Sequence, residues 1–184
     1  IFSAISTHYG EELFCGKVHI NLKKKYKNII SIIIPRHIHR TQEIKEELNQ
    51  IGLNVYIHSS GKNIPNNTDI YLVDTFGETK SFLKLSKIAF MGKSINGYGG
   101  QNPIEAARLG NRIIHGPNIE NFVEVYDSLE KLGISTKIKS YKDLEKLIIK
   151  FNRKKNYSNQ IRKKLAYTGK QILFNNEKEI NKYF

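Results

Sequence analysis

Residues 28–52 read NIISIIIPRHIHRTQEIKEELNQIG, and this stretch decides the fold. Ile29–Ile34 is a short, nearly unbroken β-branched run, which is the pattern of a strand covered on both faces. Such strands belong to parallel sheets sandwiched between helices. The run stops at Pro35. Thr41–Ile51 then carries apolar residues at helical spacing and ends at Gly52, a C-cap residue.

The same alternation extends in both directions. Ile1–Ser6 reads as a strand and Tyr9–Lys25 as a helix, with Leu13, Cys15, Val18 and Leu22 loosely at helical spacing. Strands are expected at Leu53–His58, Asp69–Val73, Ile88–Met91 and Arg112–His115. Helices are expected at Thr79–Ser86, Pro103–Leu109, Glu120–Lys131, Tyr141–Phe151 and along the tail, Tyr157–Tyr183. Strand–helix alternation at this spacing implies right-handed crossovers, hence an α/β, Rossmann-like parallel sheet with helices on both faces. Such sheets bind ligands beyond the carboxyl ends of their strands, so the strand-to-helix junctions are where chemistry is expected.

The length, 184 residues, suits one domain. Lys and Arg number 30 against 17 Asp and Glu, giving a net charge of +13. That excess admits nucleic acid, an anionic membrane surface or a phosphorylated small molecule as partner, and a solvated basic face accounts for it equally. One cysteine, Cys15, excludes an intramolecular disulfide framework and a Cys-rich zinc module. No stretch approaches the roughly 18 apolar residues of a membrane span. The sequence opens on Ile1 inside an apolar run and reads as a fragment lacking its upstream part.

Four junctions stand out. Ser6–Glu12 (STHYGEE) carries hydroxyls, a glycine and first-turn acids, as ordinary capping would. Pro35–Arg40 (PRHIHR) offers Arg36 and Arg40 to a phosphate. Its paired histidines lack the companions of a metal site, so no metal is expected. Asp74–Glu78 (DTFGE) fits a capping box, with Thr75 at N-cap and Glu78 at N3, and Gly77 permits close approach. Gly97–Glu105 (GYGGQNPIE) places Asn102 at N-cap, Pro103 at N1 and Glu105 at N3 of a helix whose start suits an anion or hydroxyl. It is neither a Walker A loop nor a dinucleotide fingerprint. Together these describe a nucleotide cleft, with Arg36 on phosphate and carboxylates on ribose.

At these residues the sequence resembles the C-terminal half of bacterial 3-deoxy-D-manno-octulosonic acid (Kdo) transferases of lipopolysaccharide assembly, which have the GT-B fold. STHYGEE, PRHIHR, DTFGE, GGQNPIE and Gly116–Phe122 (GPNIENF) match in order over roughly residues 1–130. The resemblance implies transfer of Kdo from CMP-Kdo to lipid A precursor (lipid IVA), with inversion and without metal, at the cytoplasmic face of the inner membrane. It makes residues 1–184 a donor-binding domain, with 152–184 a basic helical tail. The CMP contacts fall on Pro35, Arg36, Phe76, Gly77, Glu78, Asn102, Pro103, Ile104 and Glu105. The catalytic base lies in an N-terminal acceptor domain absent from this chain, so no catalytic residue is expected here and the chain alone is expected to be inactive.

Some positions depart from the family's pattern. Phe76 stands where the family usually has Met. Gln101 and Asn118 replace histidines, and Lys93 replaces a glycine. The resemblance thus carries the CMP site but does not support a sugar-handling role for Gln101, Asn118 or Lys93. Three rival readings stand beside it: a GT-B enzyme using another nucleotide sugar, a nucleic-acid-binding module, and an epimerase of the UDP-N-acetylglucosamine type. No nucleic-acid-binding signature appears, so nucleic acid is not expected as a partner. The tail's cations Arg153, Lys154, Lys155, Arg162, Lys163 and Lys164 are either solvated or drawn to the anionic leaflet.

Overall fold

The computed structural model describes residues 1–61, 63–152 and 157–182. Seven strands form one parallel sheet: β1 (Phe2–Thr7), β2 (Ser31–Pro35), β3 (Val55–Ile57), β4 (Ile70–Leu72), β5 (Ile88–Met91), β6 (Arg112–His115) and β7 (Ser135–Lys137), in the order β3-β4-β2-β1-β5-β6-β7. Seven α-helices connect and flank them: α1 (Glu11–Lys23), α2 (Thr41–Gln50), α3 (Thr79–Leu85), α4 (Ile104–Arg108), α5 (Val123–Lys131), α6 (Tyr141–Asn152) and α7 (Tyr157–Ile180).

The isoleucine run does what its pattern requires. Ile33 faces one side of the sheet with Phe2, Ala4, Leu72 and Phe90, against Val18 and Leu22 of α1, Ile44 and Leu48 of α2, and Leu144 and Ile148 of α6. Ile32 and Ile34 face the other with Ile5, Ala89, Met91 and Ile113, against Leu83 of α3, Ala106 of α4, Leu129 of α5 and Ile161 of α7. Alternate residues therefore serve two cores, as parallel strands buried on both faces must.

Several boundaries differ from the sequence reading. The second strand begins at Ser31 and takes in Pro35, which closes it without interrupting the ladder. Glu120–Phe122 is a 3₁₀ turn leading into α5 rather than part of that helix. The edge strand β7, Ser-Thr-Lys, was not expected: three polar residues carry no apolar signature, and pairing with β6 makes them a strand. In the tail, Arg153, Lys154 and Lys155 lie outside the described residues. Arg162 donates to the Leu109 carbonyl at 3.0 Å, and Lys164 to the Leu132 carbonyl at 2.8 Å. Two of the tail's cations thus satisfy the ends of α4 and α5, as basic side chains near orphan carbonyls do. Lys163 stays exposed.

Two buried histidines link elements. His19 of α1 donates from Nε2 to Asp69 at 3.3 Å, and its Nδ1 accepts from the Ser31 hydroxyl at 2.7 Å. Asp69 also takes the Asn54 amide at 3.0 Å and pairs with Lys23. His115 donates from Nδ1 to the Gly116 carbonyl at 2.7 Å and packs on Tyr126, ring centres 4.2 Å apart. Burial holds the His19 imidazole below its ordinary value, and brings His115 down to about 4. The unfolded chain protonates His115 near 6.5, so it binds more protons than the fold as pH drops below that value. Stability therefore falls with falling pH, by about 1.5 kcal/mol from His115 alone between pH 6.5 and 5. Urea denaturation across this window is expected to show that loss, and His115→Asn is expected to flatten it.

Candidate functional site at the carboxyl ends of the strands

From β1 the chain goes to β2 on one side, and from β5 to β6 on the other. Loops leaving adjacent strands in opposite directions open a crevice between the ends of β1 and β5. Its floor is backbone. A side chain at Gly92 would overlap the Ser6 carbonyl, and one at Gly116 would overlap the Ser94 carbonyl.

Glu11 fixes the crevice. The carboxylate is fully buried, and no cation pairs with it among the described residues. Instead Oε2 accepts the amides of His8 at 2.9 Å and Lys93 at 2.7 Å, and Oε1 those of Ser94 and Ile95, each at 2.9 Å. The sequence reading made this acid ordinary helix-start decoration; the structure makes it the tie between the β1 and β5 loops. A pair of acids after Gly10 gives no sequence signal for that role, because three of the four amides it accepts lie 82 to 84 residues away.

The Arg/His loop meets the first junction. Pro35 is buried at the end of β2, and the Arg36 amide donates to the Thr7 carbonyl at 3.0 Å. The two arginines then separate. Arg40 lies over the Tyr9 ring, 3.5 Å from buried Glu12 and 3.0 Å from Glu43, so its charge is committed. Arg36 is exposed, and its guanidinium has no partner among the described residues. His8 packs edge-on against His37 at 5.4 Å, and burial lowers its readiness to protonate. Burial pushes the Glu12 carboxyl upward.

The loop after β4 presents Phe76, 75% exposed, and Gly77, left-handed at φ +85° with open space around it. Glu78 bonds the Thr75 hydroxyl, which holds its carboxyl below the usual range, and takes His58 Nε2 at 3.0 Å. This corrects the expected capping box. Thr75 reaches the Glu78 side chain rather than a helix amide, and α3 begins only at Thr79. The glycine loop leads to a helix start one residue later than expected. Asn102 accepts the Ile104 amide at 3.0 Å, Pro103 takes the cap position, and Glu105 reaches Lys80 of α3 at 3.2 Å. Asn118, donating to the Ile95 and Gly97 carbonyls, and Glu120, accepting the Gly99 amide at 2.7 Å, hold that loop.

Most of the expected residues thus gather at one end of the sheet, on the loops after β4, β2 and β5, with adjacent strands about 4.8 Å apart. Ile104 does not: it turns to a groove of about 740 Å³ among α4, α5 and α7, lined also by Leu129, Leu165 and Ile172. No group of three or more His, Cys, Asp or Glu is placed to hold a metal among the described residues. No helix among them is long and apolar enough to cross a membrane.

No protein-family model matches the chain. It is 31% identical over 178 residues, 96% of its length, to the 3-deoxy-D-manno-octulosonic acid transferase of Haemophilus influenzae, covering 40% of that protein. It is 33% identical over 146 residues, 75% of its length, to a probable mitochondrial 3-deoxy-D-manno-octulosonic acid transferase of Arabidopsis thaliana, covering 33% of it. The chain therefore spans well under half the length of these curated relatives. Its fold matches that of the C-terminal CMP-Kdo binding domain of WaaA from Acinetobacter baumannii with a TM-score of 0.80 and 24% identity, over 88% of this chain and 84% of that one.

Removing the Glu11 carboxylate leaves buried amides without acceptors, each costing about 1–3 kcal/mol. Glu11→Ala is expected to destabilise by about 3 kcal/mol or more in urea, and Glu11→Gln, which keeps one acceptor oxygen, by less.

Proposed function

The chain is a C-terminal domain of the 3-deoxy-D-manno-octulosonic acid transferase family, and from that premise we propose that its crevice is the donor half-site for CMP-Kdo. The observation that carries this reading is the unpaired Arg36 at the end of a central strand. It stands beside a crevice whose neighbouring acids, Glu11 and Glu12, are already engaged. A free guanidinium there suits the phosphate of a nucleotide, by two parallel hydrogen bonds. Exposed Phe76 offers an aromatic face to the base. Glu78 and Glu105 offer acceptors to hydroxyls of ribose or sugar.

In the reaction proposed, a hydroxyl of lipid IVA attacks the anomeric carbon of Kdo. The bond from that carbon to the phosphate oxygen breaks, and CMP departs with the electron pair. A base takes the hydroxyl proton. A single displacement inverts the anomeric centre. Arg36 balances the charge growing on the departing phosphate, work that a metal does in other transferases. The family resemblance puts the base in the acceptor domain, so the 184 residues alone are proposed to bind donor without transferring it. The setting proposed is the cytoplasmic face of the inner membrane, with the basic surface toward anionic lipid.

An NMR titration with CMP is expected to shift Arg36, Gly77 and Asn102 selectively over UMP and AMP. Arg36→Ala is expected to weaken CMP about tenfold, the loss of one charge-assisted contact. Equal response to the three nucleotides would overturn the cytidine assignment. Incubating the purified chain with CMP-Kdo and lipid IVA is expected to yield no transfer, and product formation would overturn the assignment of the base outside it.

A further inference from the structure

Among the described residues, two that are not glycine adopt left-handed backbone: Ser6 at φ 52° and Lys93 at φ 57°. They stand at the ends of the paired strands β1 and β5, on the two lips of the crevice. A lysine in this conformation is less stable than a glycine would be, because its Cβ crowds the backbone. Such strain persists where surrounding structure enforces it and clusters at functional sites. Here the enforcing group is Glu11, whose Oε2 accepts the Lys93 amide at 2.7 Å.

The Lys93 side chain is half-buried, and its Cγ lies where a Cβ on Gly97 would be only 3.1 Å away. The ammonium has no hydrogen-bond or ion-pair partner among the described residues. It nonetheless lies close enough to His8 for its charge to oppose protonation of that imidazole. Of the acids nearby, Glu11 is bound by four close backbone amides, and buried Glu12 stands 3.5 Å from Arg40 as an ion pair. An uncompensated lysine over a backbone floor, with Arg36 on the other side of β1, is a site for an anionic oxygen.

We propose that Lys93 binds the phosphate of the bound nucleotide from the β5 side of the crevice, opposite Arg36, and so acts as a second phosphate clamp. This rests on the reading of the crevice as a nucleotide site. The lysine enters at a point where its neighbourhood would accept glycine, so charge rather than packing is what it adds.

The test compares Lys93→Gly and Lys93→Arg with the wild-type chain, titrated calorimetrically with CMP, UMP, AMP and cytidine. Lys93→Gly is expected to weaken CMP about tenfold, to leave cytidine unchanged and to raise the melting temperature by relieving the backbone. Lys93→Arg is expected to keep most of the CMP affinity. Unchanged CMP affinity in Lys93→Gly overturns the proposal, as does an equal loss for cytidine, which would make the lysine a support for the loop. If all three nucleotides bind alike and all weaken in Lys93→Gly, the cytidine reading fails and the phosphate clamp stands. No measurable binding of CMP to the wild-type chain overturns both.

Discussion

A carboxylate with no cation paired to it among the described residues organises the carboxyl end of this sheet. Glu11 is out of water, and an isolated buried charge is among the costliest features a fold can contain. Four close amides from two loops meet it. The anion and the amides need each other: without the carboxylate the loop amides are buried donors with no acceptor, and without the loop the carboxylate is a bare charge. Asn118 and Glu120 hold the second loop from its other side. The carboxylate contact joins the helix start at Glu11 to the left-handed turn at Lys93.

Behind it lies a division of labour. The sheet's two cores hold the strands in register, and the strand ends set where the loops begin. Charged groups then sort by whether the fold has already used them. Arg40 is taken by Glu12 and Glu43, Arg162 and Lys164 by helix ends, and Lys23 by Asp69. For a chain of net charge +13 this sorting matters more than the total. Among the described residues Arg36 and Lys93 at the crevice have no such partner, and these are the cations proposed to meet a ligand.

The architecture was legible because the strongest signal, Ile32–Ile34, answers to one physical demand. Strands buried on both faces need branched apolar residues at every position, and few other structures do. The helices followed from spacing and from glycine stops such as Gly52 and Gly110. Features whose meaning is non-local stayed hidden. β7 is a strand by pairing alone. Glu11, Asn118 and Glu120 act on backbone groups that sequence distance does not reveal. The capping box read at Thr75 and Glu78 is absent there, whereas Ser140 and Asp143 form one at the start of α6, with Asp143 accepting the Ser140 amide at 3.0 Å and donating its own to the Ser140 hydroxyl at 3.3 Å. Local spacing cannot say which of two similar tetrapeptides opens a helix. Most of the expected residues stand at one end of the sheet, with Ile104 turned away, yet the split between Arg36 and Arg40 required knowing what each already touches.

The glycines at the ends of β5 and β6 leave no room for a side chain where the strands abut, so at those two positions the bottom of the crevice presents peptide groups. Peptide groups are the same whatever the sequence. A surface of that kind cannot be retuned by substitution and has no preference of its own among ligands of similar polarity. Under the proposed function, discrimination falls to the rim, to Arg36, Phe76, Lys93, Asn102 and Glu105, residues on loops whose exchange leaves the sheet untouched. A fold arranged this way separates what must stay constant from what can diverge, and a lineage can change the compound it handles by editing a handful of rim positions over an unaltered base.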